Sequence, residues 1–419
     1  MTERLLQYIW QYKIFNSTDL RTTKDLPIQI IHPGTYNTNQ GPDFLNARLN
    51  FEQTTWVGNV ELHIHSSDWE AHHHSNDENY KNVILHVVWK EDAELDLNFP
   101  AIQLQERVSA LLLKKYEELM QSPLFIPCQQ HIPHVNSIVI LSWKERLLIE
   151  RLQQRALYIE SLLKTNNHHW EEIFWWMLAR NFGLKVNSDS FEKIAQSIPV
   201  NILARHRNQV QQLEALLMGQ AGLLDRKFKE AYPSMLSREY RFLKKKYDIP
   251  KVHYPLFFLR MRPANFPTIR LAQLAVLINK SNHLFSKIKD LSSIKDLENL
   301  LDVTANDYWH YHYTFVEVTA FNKKKLGKQM IENIIINTII PVLYAYGYFN
   351  DNETYKKKAL LWMEAVSAEK NSITKGFEDL GVENKTAFDS QSLIQLKNEY
   401  CNYKKCLQCA IGNSILKLF

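Results

Sequence analysis

In the run Val60-Glu61-Leu62-His63-Ile64-His65 apolar and ionisable residues alternate strictly. A strand here points Val60, Leu62 and Ile64 to one face and Glu61, His63 and His65 to the other, so one face is core and the other is chemistry or water. Around it the pattern predicts a series of short elements. Residues 2–13 place Leu5, Leu6, Ile9 and Trp10 on one face behind Thr2 as N-cap, which predicts an amphipathic helix with Glu3 near its start. Residues 27–31 read as a strand ending at Pro33-Gly34, and Asp43–Phe51 and Trp56–His65 as two more, joined by a polar hairpin around Glu52 to Thr55. A polar stretch, 67–80, predicts a short helix or loop. Asn82–Trp89 is almost continuously apolar, as a buried central strand is. Ala101–Val108 predicts an edge strand and Ser109–Met120 a helix.

From about Ser137 the periodicity turns helical, through 147–163, 169–182, 208–224, 268–278 and 327–345. The change of period, with Pro123, Pro127 and Pro133 nearby, places a boundary near 125–140. Two domains follow: an α+β domain over 1–133 and an all-helical one over 134–419. No repeat of fixed period stands out.

Composition changes this picture little. The 419 residues suffice for about two domains of roughly 150 residues, and 45% hydrophobic with 23% charged residues suits a folded chain with a sizeable core. The start, MTERLLQYIWQYKIF, is not a secretory signal. The apolar run Ile334 to Phe349 is broken by Asn337 and Pro341, short of a membrane span. A cytoplasmic protein with no membrane partner is expected. Charge adds more, because the net +5 is the sum of −7 over residues 1–133 and +12 over the remainder. An acidic, histidine-rich segment beside a basic one is the distribution expected of a metal site and a polyanion site.

Asp43 begins one predicted strand, and Glu61 and His63 lie on the polar face of the next. The element order, helix, three strands, helix or loop, strand, together with Pro42-Asp43 and Glu61-Leu62-His63, resembles the PD-(D/E)XK, or restriction-endonuclease-like, nucleases over roughly the first quarter of the chain. The resemblance implies an αβββαβ core and hydrolysis of DNA or RNA phosphodiester bonds. His63 stands where that superfamily usually has lysine. The chain as a whole, including the segments WVGNVELHIHSSDW and NVILHVVW, also resembles a bacterial family known only as a domain of unknown function, which implies no mechanism.

The chemistry expected is metal-dependent. Asp43 and Glu61 can hold Mg²⁺ or Mn²⁺ together with the Leu62 carbonyl, and Glu3 is a further ligand. His63 can orient or deprotonate water near neutral pH, or bind the metal itself, which favours Mn²⁺ or Zn²⁺. His72-His73-His74, flanked by Asp68 and Asp77, can form a second metal site or line the cleft with His65. His86, inside an apolar strand, reads as a hydrogen-bonded core histidine.

Cys401, Cys406 and Cys409 form a C-x4-C-x2-C cluster, and Cys128 is the chain's other cysteine. Four thiolates satisfy one Zn²⁺ ion or one [4Fe–4S] cluster with none left over. The arrangement resembles the iron-stapled members of the nuclease superfamily. Arg260, Arg262 and Arg270, and Lys323, Lys324, Lys325 and Lys328, lie among aromatic residues, an interleaving that suits nucleic acid, single strands in particular. The alternatives are a nucleic-acid-binding protein on an inactive nuclease scaffold and a metal-dependent hydrolase of small molecules.

Overall fold

A computed structural model describes residues 1–419 apart from 52–53, 168, 251, 253, 282 and 418–419. The chain forms two compact units, Met1–Trp143 with Leu396–Phe419, and Lys144–Gln395.

The first unit is built on a mixed six-stranded sheet. Its strands are β1 (Ile28–His32), β2 (Thr35–Tyr36), β3 (Phe44–Phe51), β4 (Thr54–His65), β5 (Val83–Lys90) and β6 (Ala101–Gln103). They lie in the order β1-β3-β4-β5-β6, with β2 added to β3. β1, β3 and β4 are antiparallel, whereas β5 and β6 run parallel to β4 and to each other. A parallel neighbour needs a crossover, and the polar stretch after β4 supplies it through the helix α2 (Asp68–Ala71) and two tight turns. Val83, Leu85, Val87 and Val88 are buried on β5, each contributing about 1.5–3 kcal/mol of transfer free energy. Burial on both faces explains why β5 reads as an apolar run and not as an alternation.

The first helix, α1 (Glu3–Gln11), forms as the apolar spacing predicts. Thr2 caps it by accepting from the Leu5 N–H, and Leu5, Leu6, Ile9 and Trp10 are buried. α1 packs against β4, and the Trp10 indole donates to the Pro33 carbonyl. Of the hairpin expected around Glu52 to Thr55, Glu52 and Gln53 lie outside the described residues, whereas Thr54 and Thr55 already belong to β4, paired with Phe51 and Asn50. Ala101–Val108 is strand only to Gln103, because a 3-10 turn at Gln105–Arg107 ends the pairing before the helix Ala110–Gln121.

The second unit is mainly helical, and the helices Trp170–Phe182, Val210–Gln220 and Pro267–Lys280 fall where the periodicity placed them. The domain boundary differs at both ends from the one expected. The division lies within the helix Ser137–Thr165 and not in the proline-rich stretch before it, and the last 24 residues, Leu396–Phe419, belong to the first unit. The broken apolar run near 334–349 is also longer than expected. Lys328–Phe349 is one 22-residue helix, long and apolar enough to cross a membrane, yet 78% of its apolar window is buried inside the protein. A π-turn at Ile335–Ile339 carries the helix into Pro341, which has no N–H to donate. Its apolar length is core.

Candidate functional site

Glu61, His63 and His86 share the polar side of the sheet because Glu61 pairs with His86 in the parallel β4–β5 register. This side is not solvent. Glu61 is 6% exposed, His63 1% and His86 0%. The crossover covers it: Trp69 of α2 stands edge-on to His63 at 6.4 Å between ring centroids, and the loop beyond α2 returns over β4. His73 sits in the left-handed region (φ 58°) at the turn between His72 and His74. Both neighbouring imidazoles then meet His63, and Tyr80 stacks on His74 at 3.9 Å.

His63 Nε2 lies 3.1 Å from His72 Nδ1, and the ligating nitrogens of His63, His72 and His74 all fall within 4.8 Å of one another. Glu61 Oε1 borders two of these three imidazoles, at 3.6 Å from His63 Nε2 and 3.5 Å from His74 Nε2. Among the described residues, the three imidazoles are the set of three or more clustered ligand atoms that could hold a cation. His74 Nε2 is buried with no hydrogen bond, an orphan that a metal bond would satisfy. His63 Nδ1 meets His86 Nε2 at 2.8 Å. That contact fixes the ring and leaves Nε2 for a cation, the outer-shell role typical beside metal-bound histidine. His86 is therefore a hydrogen-bonded core histidine whose partner is the site itself.

Asp43 stands immediately before β3, where a register shift between Phe44 and Ala47 and the left-handed Asn46 (φ 57°) bend the strand. Its own N–H donates to Glu61 Oε2 at 2.9 Å. Its carboxylate accepts from the Leu62 N–H at 3.2 Å and the Gln7 amide at 2.8 Å. Burial pushes the acids of both Asp43 and Glu61 well above the usual carboxylate range; the charge of Asp43 raises Glu61 further, and Glu3 raises both. Burial, then the neighbouring histidines, pushes His63 down to about 2, so its imidazole is neutral and free to ligate.

Glu3 thus lies close enough to the carboxylates to act on them, and His72 and His74 join His63. The other residues of the region do different work. His65 is exposed on the end of β4 and faces Asp92 at 3.8 Å. Asp77 caps the turn Glu78–Tyr80 by accepting from Asn79. The expected nucleic-acid contacts need two corrections. Arg270 is buried and spends its guanidinium on Gln273 and Asn265, and Lys324 is buried over the Tyr313 ring with its ammonium on the Asn322 carbonyl. Arg260, Arg262, Lys323, Lys325 and Lys328 are exposed, with Lys325 paired to Asp302 and Lys328 near Glu332. Cys128, Cys401, Cys406 and Cys409 gather in the first unit.

Sequence reasoning missed Gln7, Trp69 and Tyr80, and it separated His86 from the site. A polar residue inside the apolar run of β5 was the visible signal for His86, but its pairing with Glu61 is a matter of register.

No curated protein and no solved structure matches this chain. One family model, described as a protein of unknown function (DUF2851), matches residues 3–372, nearly the whole chain, and the protein belongs to that family.

Proposed function

We propose that the protein is a metal-dependent hydrolase that cleaves phosphodiester bonds of DNA or RNA, with its ion held by His63, His72, His74 and Glu61. The observation that carries this reading is the convergence of three imidazole nitrogens within 4.8 Å of one another, two of them 3.5–3.6 Å from the Glu61 carboxylate, beside Asp43. Three nitrogen donors favour Mn²⁺ or Zn²⁺ over Mg²⁺, which demands oxygen. Such an ion supplies a water of lowered pKa and neutralises charge developing on a phosphoryl group. His63 acts here as a ligand and not as a base, since both ring nitrogens are committed. Proton transfer falls to Asp43, a buried carboxyl with a raised pKa next to the centre.

Two features favour a nucleic acid as substrate. The sequence of elements, helix, antiparallel β1-β3-β4 with the short β2 added to β3, crossover, then parallel β5, supports the αβββαβ order that the nuclease resemblance implies. The second unit exposes Arg260, Arg262 and Lys323 for phosphate, and Phe242, Phe257 and Phe321 for stacking on unpaired bases. The test is incubation of the full chain with end-labelled single- and double-stranded DNA and RNA in Mn²⁺, Zn²⁺ or Mg²⁺. Cleavage is expected with Mn²⁺ or Zn²⁺, falling at least about 100-fold in Glu61→Gln and His74→Ala. Protein that carries the metal yet cuts none of these substrates refutes the reading.

A further inference from the structure

We propose that a cleft within the second unit, lined by Arg270 and by the start of the helix Lys328–Phe349, binds the phosphate group of a small organic molecule. This site is independent of the chemistry at His63.

The observation that carries it is a buried arginine whose charge has no counterpart. Arg270 lies near the start of the helix Pro267–Lys280 and is 7% exposed. Of the five N–H donors of a guanidinium, one on Nη1 goes to Gln273 Oε1 at 2.9 Å and one on Nη2 to Asn265 Oδ1 at 2.6 Å. Nε is buried with no hydrogen bond. The Gln273 amide in turn donates to the Lys324 carbonyl at 3.2 Å, which holds its oxygen toward Arg270. Both acceptors are neutral, so they fix the orientation of the guanidinium without answering its charge. Burial pushes its pKa down to about 10, which still leaves it cationic at neutral pH. A buried charge is costly unless it is paired, and an anion in the cleft supplies the missing partner.

The cleft beside Arg270 suits such a ligand. Its volume is about 620 Å³, within the roughly 300–1,000 Å³ of small-molecule sites. Asn265 lines it, as do Lys328 and Gln329, the first two residues of the 22-residue helix Lys328–Phe349. Gly327, at the cap position, has no side chain to accept from the first N–H groups of that helix. The positive end of the helix dipole is thereby left for an anion. Lys328 and Lys370 add exposed ammonium groups.

Two carboxylates also line the cleft, and both are engaged. Glu332 lies 3.8 Å from Lys328, and Glu369 accepts from Asn371 at 3.1 Å and from Gln391 at 2.9 Å. Three cations against these two acids leave one positive charge, the buried one. Phosphate fits because its several oxygens can take the free guanidinium donors and the helix N–H groups together. The apolar side chains of Leu184, Met330 and Ile336 line the same cleft, whose volume exceeds what inorganic phosphate fills. A phosphate ester uses both the charge and the apolar wall.

The test is isothermal titration calorimetry of the full chain in buffer free of divalent metal, sulfate and phosphate. The probes are inorganic phosphate, ribose 5-phosphate, 5′-AMP and a 5′-phosphorylated oligonucleotide, with ribose and adenosine as controls that lack phosphate. One site per chain is expected, with at least one of the two small esters binding about tenfold or more tighter than inorganic phosphate and no binding of the controls. Arg270→Met should weaken ester binding about tenfold or more while leaving Tm without ligand unchanged or higher, since it removes an unpaired buried charge. An arginine that served only the fold would lower that Tm and leave affinity alone. If this variant misfolds, the exposed positions decide: Lys328→Ala and Lys370→Ala should each weaken ester binding about two- to fivefold. Four results overturn the proposal: no binding of any small phosphate probe at about 10 mM, inorganic phosphate bound as tightly as both esters, affinity unchanged in the folded variants, or binding confined to the oligonucleotide. The titration needs neither metal nor strand cleavage, so this site and the hydrolase reading can fail separately.

Discussion

Glu61→Gln separates two roles that one carboxylate combines. Oε2 accepts from the Asp43 N–H at 2.9 Å, a bond that the carbonyl oxygen of glutamine can keep. Oε1 faces His63 and His74 at 3.6 and 3.5 Å, where an amide nitrogen cannot ligate a cation. Burial already disfavours charge on Glu61, so the neutral amide should leave the metal-free protein at least as stable. Metal at 100 times its Kd stabilises the native state by about 2.7 kcal/mol. The first unit has roughly 170 residues, for which each kcal/mol moves Tm by about 2–4 °C. Wild-type protein should therefore gain about 5–11 °C in Mn²⁺. If losing this ligand weakens binding about 100-fold, the same metal concentration equals Kd, and the gain falls to about 0.4 kcal/mol, or about 1 °C. Calorimetry of metal-free and Mn²⁺-loaded protein measures both quantities. An equal shift in wild type and variant would place the metal elsewhere. A drop of several degrees in the metal-free variant would show that Glu61 is structural.

The second unit offers further tests. Glu214 is fully buried among Trp309, Tyr232 and Asn306, and burial raises its acid to about 7 from 4.5. The folded state then holds a proton that the unfolded state has lost, so this stabilisation is complete below pH about 4.5 and disappears as pH rises through about 7. Up to about 3 kcal/mol is at stake, and Glu214→Gln should flatten the denaturation midpoint across that window; an unchanged slope would count against the assignment. Lys144 donates to Asp389 at 2.9 Å and to the Glu383 carbonyl at 2.6 Å in a buried pair. Lys144→Met should cost about 3–5 kcal/mol in urea denaturation by leaving a buried charge with one partner fewer, and a loss under 1 kcal/mol would mean the pair is hydrated. Gly219→Ala drives a β-carbon to within 2.5 Å of the Tyr240 ring, so about 1–3 kcal/mol should be lost to overpacking; wild-type stability in that variant would show that the ring yields freely.

Much of the first unit was legible because its signals are local. Strict alternation identified β4, the nearly continuous apolar run identified β5, and Thr2 with its apolar stripe identified α1. Boundaries were less legible. The division inside Ser137–Thr165 leaves helical periodicity undisturbed, and nothing in the last 24 residues except the cysteines points back to the sheet. Arg270 and Lys324 show a further limit, since a basic residue beside aromatics reads alike on a surface and in a core until its partners are known.

The sequence by itself determined which residues could carry chemistry: a carboxylate and two imidazoles alternating with core residues, a histidine tract, and four cysteines with none to spare. Tertiary structure decided which of them act together. Parallel register set His86 beside Glu61, and a bend before β3 brought the Asp43 backbone to the Glu61 carboxylate. The left-handed His73 turned two imidazoles onto His63. None of these follows from composition or period, because each depends on where two distant stretches of backbone come to rest against one another. The same packing buries the polar face of β4 and so makes its charges costly unless they are paired, protonated or bound to metal.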